Sequence, residues 1–337
     1  MNERWTQLLI SQGAQFADGR VVAYDSAAPV PPGESVLCDL SHYGVLEVAG
    51  DDASAFMQGQ FTNDVAALGL GQAQWNGWCS PKGRLLATFL LWREAAAFYL
   101  LMPRAIMPTI QKKLAMYVLR SKVKLADVSD TRQRLGVIGA VGAMAALPHS
   151  DFASVLTSVD SAQGRLIRLS AQRHVLIAAT DTAVGVWTQW AQTIAKAGAA
   201  RWDLAMIREG IVDIQPETQD AFVPQMANFE LIGGVSFTKG CYTGQEIVAR
   251  TQYRGILKRR MARASFVADA APPPGTAVYS PAFGDQACGV IALAADAGGT
   301  MEALVVAQID SITGNSLFLD AAHTQPMTVL DLPYATG

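Results

Sequence analysis

The sequence has no Cys-x-x-Cys pair, no histidine at zinc-site spacing from a cysteine, and none of the cysteine runs that ligate iron–sulfur clusters. Its four cysteines, Cys38, Cys79, Cys241 and Cys288, are scattered, which also argues against a disulfide framework. No bound metal or cluster is expected. Charge is sparse too: 16% of residues are charged, 50% are hydrophobic, and the net charge is −3. That balance excludes overall disorder and non-specific nucleic-acid binding by the whole surface, while leaving room for a local basic patch. Long apolar runs are missing. The run Leu85 to Trp92 is stopped by Arg93-Glu94 and is far too short to span a bilayer. Met1-Asn2-Glu3-Arg4-Trp5 lacks the apolar core of a signal peptide. The expectation is a cytoplasmic protein with no membrane partner.

Nucleotide motifs are absent as well. Gly136, Gly139 and Gly142 are spaced Gly-x-x-Gly-x-x-Gly, not Gly-x-Gly-x-x-Gly, and no P-loop occurs. Leu135 to Met144 reads as a strand running into a helix.

At 337 residues the chain exceeds one ordinary core, so two or three domains are expected. Val36 to Val48 reads as short strands, and Asp51-Asp52 opens a helix. Leu85 to Trp92 and Ala95 to Met102 suggest a hairpin, followed by an amphipathic helix from Met107 to Leu119. Gly164 to Ala179 supplies a strand pair, and Thr182 to Gly198 an amphipathic helix with Trp187 and Trp190. Beyond the turn or linker Ala271-Pro272-Pro273-Pro274-Gly275 the chain is strand-rich, fitting a small antiparallel barrel.

Phe237 to Arg250 carries the most information. Gly240 and Gly244 free the backbone on either side of Cys241. Thr243 and Glu246 have the spacing of a capping box ahead of Ile247-Val248-Ala249, which predicts a helix from Thr243 with Cys241 just before its positive end. A free thiol titrates near ~8.5, so a thiolate at neutral pH needs roughly 2 kcal/mol of stabilisation. A helix terminus supplies about 0.3–1 kcal/mol, and Lys239, Arg250 and Arg254 are the candidate cations for the remainder. The residues alone leave a reactive thiol and a small packing cysteine equally open.

The run Lys239-Gly240-Cys241-Tyr242-Thr243-Gly244-Gln245-Glu246, continued by Val248-Ala249-Arg250, resembles the signature of the YgfZ proteins. These are folate-binding relatives of the glycine-cleavage T-protein, associated with iron–sulfur enzyme maintenance and tRNA modification. Pro81-Lys82-Gly83-Arg84 recurs in the same proteins, and Asp39-x-Ser41-His42 and Thr62-Asn63-Asp64-Val65 resemble the wider T-protein superfamily. The resemblance implies an α+β, three-domain aminomethyltransferase-like fold: an α+β domain over 1–130, a second over 131–255 carrying the signature, and an antiparallel β-barrel over 256–337. Segments of the first two may interleave.

The same resemblance implies that Cys241 is the working thiol and that tetrahydrofolate, or a folate derivative, is the ligand. Tyr43 falls where YgfZ relatives carry a folate-contacting Trp. Trp202 and Glu217 fall where the family places an aromatic and a pterin-holding acid, and Gln225 and Asn228 follow its pattern. A carboxylate can accept paired hydrogen bonds from a pterin, and amides satisfy a heterocycle's donors and acceptors. No catalytic role is assigned to His42. T-proteins carry adjacent Asp residues, one of them catalytic, about where Ala87 and Thr88 stand, and neither can accept a proton here. The implied function is therefore folate binding in support of iron–sulfur enzymes and tRNA modification. Its rival is a tetrahydrofolate-dependent aminomethyltransferase or other one-carbon transferase. Direct tRNA binding would rest on Arg250, Arg254, Lys258, Arg259 and Arg260, which also read as a helix C-terminal complement or an anion funnel.

Overall fold

The computed structural model describes residues 1–25, 34–139 and 154–336. The chain divides into two compact units, each assembled from separate segments. The first holds Met1–Ser54, Ala67–Gln74 and Leu90–Trp202, the second Ala55–Ala66, Trp75–Phe89 and Asp203–Gly337.

The first unit contains a six-stranded sheet in the order Ser158–Ser161, Gly164–Arg168, Arg173–Ala179, Arg132–Ile138, Val36–Asp39 and Ala195–Ala197. Period-2 alternation sorts its faces. Leu135 and Val137 enter a core with the helices Glu3–Ser11 and Thr180–Trp190, in which Trp5 and Trp187 meet edge to face at 5.4 Å. Between them, Gly136 faces the other way, against Trp202.

The strand expected from Leu135 is Arg132–Ile138; the helix expected after it lies outside the described residues. The helix expected over Thr182 to Gly198 ends at Trp190, because the amides of Thr193 and Ile194 fold back onto the Trp190 carbonyl. Ala195–Ala197 then adds a parallel edge strand to Val36–Asp39.

A second set of strands in this unit pairs Tyr43–Ala49 with Ala97–Pro103 on one side and Lys124–Asp127 on the other. The helix Met107–Val118 buries Met107, Ile110 and Leu114. Its approach needs Gly44, where a Cβ would lie 2.5 Å from the Met107 sulfur.

The second unit is dominated by a six-stranded antiparallel sheet in the order Ala277–Val278, Gly289–Asp296, Met301–Gln308, Arg259–Phe266, Pro326–Leu330 and Leu317–Phe318. Its two edges meet through paired backbone hydrogen bonds between Tyr279 and Phe318, so the sheet nearly closes into a barrel. Phe266, Val278, Cys288, Ile291 and Val305 fill it. Arg208 grips the rim, donating from Nη2 to Glu302 at 2.7 Å. The architecture is α+β with a C-terminal antiparallel barrel.

Candidate functional site

The cysteine signature lies in the second unit, and its geometry starts from Lys239. This side chain is 9% exposed, and its ammonium donates to three backbone carbonyls: Gln58 at 2.7 Å, Phe61 at 2.6 Å and Asn63 at 2.9 Å. It also lies 5.1 Å from the centre of the Tyr242 ring. Burial pulls the ammonium down to about 8, with the Asp64 carboxylate opposing the shift.

The carbonyls it grips belong to a bed that is itself laced to the signature's approach. Thr62 Oγ1 donates to the Gly234 carbonyl at 2.7 Å, Asn63 Nδ2 to Gly233 at 2.7 Å, and the Ser236 amide to Thr62 at 3.0 Å. Thr62-Asn63 is thus the platform on which the cysteine loop is fixed.

Past Lys239 the chain surfaces for two residues and dives again. Gly240 and Cys241 are exposed, while Tyr242 is buried. The other three cysteines, Cys38, Cys79 and Cys288, are all buried. Burial pushes the Cys79 thiol up to about 12, with Asp220 adding to it, and raises Cys288 as well.

Gly244 then locks the loop from its far side. Its φ is +81°, and a Cβ there would collide with the Ser80 carbonyl oxygen and sit 2.9 Å from the Gly83 Cα. Gly83 is matched to it: a Cβ on that residue would meet Ile247 at 2.7 Å. The turn Pro81-Lys82-Gly83-Arg84 is tied down in turn, with Ser80 Oγ donating to Asp220 at 2.7 Å and Arg84 to the Ala221 carbonyl at 2.6 Å. Gly240 differs, since a Cβ there would meet nothing within 4 Å.

This packing corrects the helix start. The helix runs Gln245–Tyr253, with left-handed Gly244 as its N-cap and no side-chain cap, so the Thr243–Glu246 capping box does not form. The close backbone approach at Ser80 and Gly83 sets the turn instead. Of the candidate cations for the thiol, Lys239 is engaged with the three carbonyls, and Arg250 and Arg254 are exposed.

The remaining sequence-predicted residues fall in both units. In the first, Tyr43 is buried at the head of its strand, beside His42 with ring centres 4.7 Å apart. Burial and the charges of Arg20 and Arg134 hold the His42 imidazole well below its ordinary value. Trp202 is buried between Gly136 and the Arg173 guanidinium, which lies 4.8 Å from its ring centre.

In the second unit, Glu217 is exposed on a short 3-10 turn, Pro216–Thr218. The Pro-rich segment before Gly275 brings that glycine against it, where a Cβ would lie 3.2 Å from the Glu217 Cβ. Gln225 is buried; its amide donates to the Val248 carbonyl at 2.8 Å, and its Oε1 has no partner among the described residues. Asn228 is also buried, in a left-handed conformation. It donates to the Met261 carbonyl at 2.9 Å and accepts from Arg260 at 3.0 Å. Arg260 further pairs with Glu230 at 2.9 Å, which removes it from the exposed basic cluster expected around Gly255.

Ala87 and Thr88, the positions where a proton acceptor is missing, are buried. Thr88 Oγ1 donates to the Val212 carbonyl at 3.2 Å and accepts from the Ile214 amide at 3.0 Å, a purely structural use of the hydroxyl. Among the described residues no group of three or more His, Cys, Asp or Glu could hold a metal ion. No helix among them is long and apolar enough to cross a membrane.

The fold is that of the aminomethyltransferase T-proteins. The structure superposes on the glycine cleavage system aminomethyltransferase T of Bartonella henselae with a TM-score of 0.81, at 14% identity, covering 100% of this chain and 98% of that one. Residues 33–154 match the GCVT N-terminal domain family. Within that class the sequence is similar to the tRNA-modifying protein YgfZ of Vibrio vulnificus, 35% identical over 249 residues, which are 73% of this chain and 75% of the relative. It is also similar to the protein of that name from Photobacterium profundum, 29% identical over 89% of this chain and 91% of the relative. The chain belongs to the YgfZ family.

Proposed function

We propose that this protein binds tetrahydrofolate in the cytoplasm and supports iron–sulfur enzymes and tRNA modification through the Cys241 thiol. The observation that carries the reading is the contrast among the four cysteines: three are buried, and the fourth is exposed on a loop fixed by a buried ammonium and a left-handed glycine. A packing cysteine would need no such framework. Complementation of a deletion strain tests this, and full rescue by Cys241→Ala would overturn the thiol's role.

The chemistry of the residues assigned to it supports a folate ligand. Gln225 Oε1 is a buried acceptor with no partner among the described residues, suited to a heterocycle N–H. Glu217 offers an exposed carboxylate for the paired N–H groups of a pterin. Tyr43 and Trp202 are the aromatic residues assigned to ring contacts, and Asn228 holds the Gln225 segment in place through Met261. When bound, tetrahydrofolate would supply one-carbon chemistry that the side chains lack. The family's tRNA-modifying name and the GCVT domain match fit this reading. Titration by tryptophan fluorescence tests it: ligand-dependent quenching is expected, diminished in Trp202→Phe and Glu217→Gln.

Aminomethyl transfer is the second reading, favoured by the T-protein fold alone. Against it, neither Ala87 nor Thr88 can serve as a base. Release of methylene-tetrahydrofolate from an aminomethyl donor would establish it.

A further inference from the structure

We propose that the exposed face of the helix Gln245–Tyr253 is a docking surface for a single-stranded nucleic-acid segment. Glu246, Ala249, Arg250 and Tyr253 follow the i, i+3, i+4, i+7 spacing of one helix face. With Arg254 they line a surface hollow of about 530 Å³. Tyr253 is 69% exposed and Ile256 89%. Tyr253 is braced by Phe237 in an edge-to-face contact at 5.9 Å, so the ring is presented and not left loose.

The hollow carries two cations, Arg250 and Arg254, against the single acid Glu246, and Lys258 and Arg259 follow Tyr253 within six residues along the chain, both exposed. Arg260 is excluded because Glu230 neutralises it. Cations flanking an exposed aromatic form the combination that tracks a phosphate backbone while a base stacks on the ring. A duplex would use the cations only, because its bases are already stacked on each other. The presented tyrosine therefore selects a single strand. The surface is distinct from the folate contacts and stands whether or not folate binds.

The test is fluorescence anisotropy of the full chain with a short labelled oligouridine across a salt series. Binding is expected to weaken with salt. Arg250→Gln and Arg254→Gln should each reduce the slope of log K against log[salt] by about 0.7. Tyr253→Ala should weaken binding about tenfold, with Tyr253→Trp restoring it. Circular dichroism confirms that each variant is folded. Unchanged binding by Tyr253→Ala, or equal competition by duplex RNA or heparin, would reduce the surface to polyanion adhesion and overturn the proposal. Displacement by polyglutamate at equal charge would overturn it in favour of an acidic protein partner, and absence of binding at low salt would overturn it outright. Tetrahydrofolate titration of Tyr253→Ala should match the wild type, which separates a failure here from a failure of the folate reading.

Discussion

Cys241 and Cys288 belong to the same compact unit, yet their surroundings are opposite in kind. Cys288 lies in the barrel among Val278, Ile291 and Val305, where burial raises its thiol. Any small apolar side chain could fill that role. Cys241 makes no use of packing at all: its loop is held by charge-assisted hydrogen bonds at Lys239 and by backbone contact at Gly244. Position in the barrel is fixed by volume, and position in the signature by backbone. The difference teaches that a thiol can be kept open by a rigid polar frame that a sequence shows only as conspicuous glycines and a lysine.

The comparison breaks most sharply at Lys239. Lys239→Met leaves three buried carbonyls without their donor and should cost about 3 kcal/mol in urea unfolding. A loss below about 0.5 kcal/mol, the scale of an ordinary surface substitution, would mean the frame is not held there.

The two glycines flanking Cys241 should behave differently. Gly244→Ala forces a β-carbon against Ser80 in a left-handed conformation and should cost about 2 kcal/mol. Gly240→Ala, with open space around it, should stay within about 0.5 kcal/mol of the parent. Similar losses at both would contradict the lock.

A smaller effect belongs to the first unit. Unfolded His42 takes up a proton near pH 6.5, while in the folded chain its buried ring nitrogens, with Arg20 and Arg134 nearby, resist it. The unfolded state then holds more protons as pH falls below 6.5, so stability drops there, by at most about 1.4 kcal/mol per pH unit. His42→Asn should flatten the dependence, as read from urea midpoints across the range. The smallest effect is expected at the thiol: Cys241→Ala should leave stability within about 0.5 kcal/mol, since an exposed side chain buries little.

Much of this was legible in the residues. The strand patterns at Val36 to Val48 and Leu85 to Met102, the helix after Met107 and the C-terminal barrel all follow from periodicity and turn residues. What escaped depends on partners distant in sequence. Lys239 read as a cation for the thiol, but the carbonyls that hold it lie more than 170 residues earlier. Thr243 carried a good capping signal that lost to the approach of Ser80 and Gly83. Arg260 is indistinguishable in sequence from its basic neighbours and differs from them by its ion pair with Glu230. Thr62-Asn63 was visible as a superfamily resemblance, and its work as the loop's platform was not.

Site-resolved alkylation of the native protein with iodoacetamide, read by peptide mass spectrometry, tests the frame most directly. Cys241 should be modified first and alone, with Cys38, Cys79 and Cys288 protected until the chain is unfolded. Labelling of Cys241 no faster than Cys288 would contradict the account.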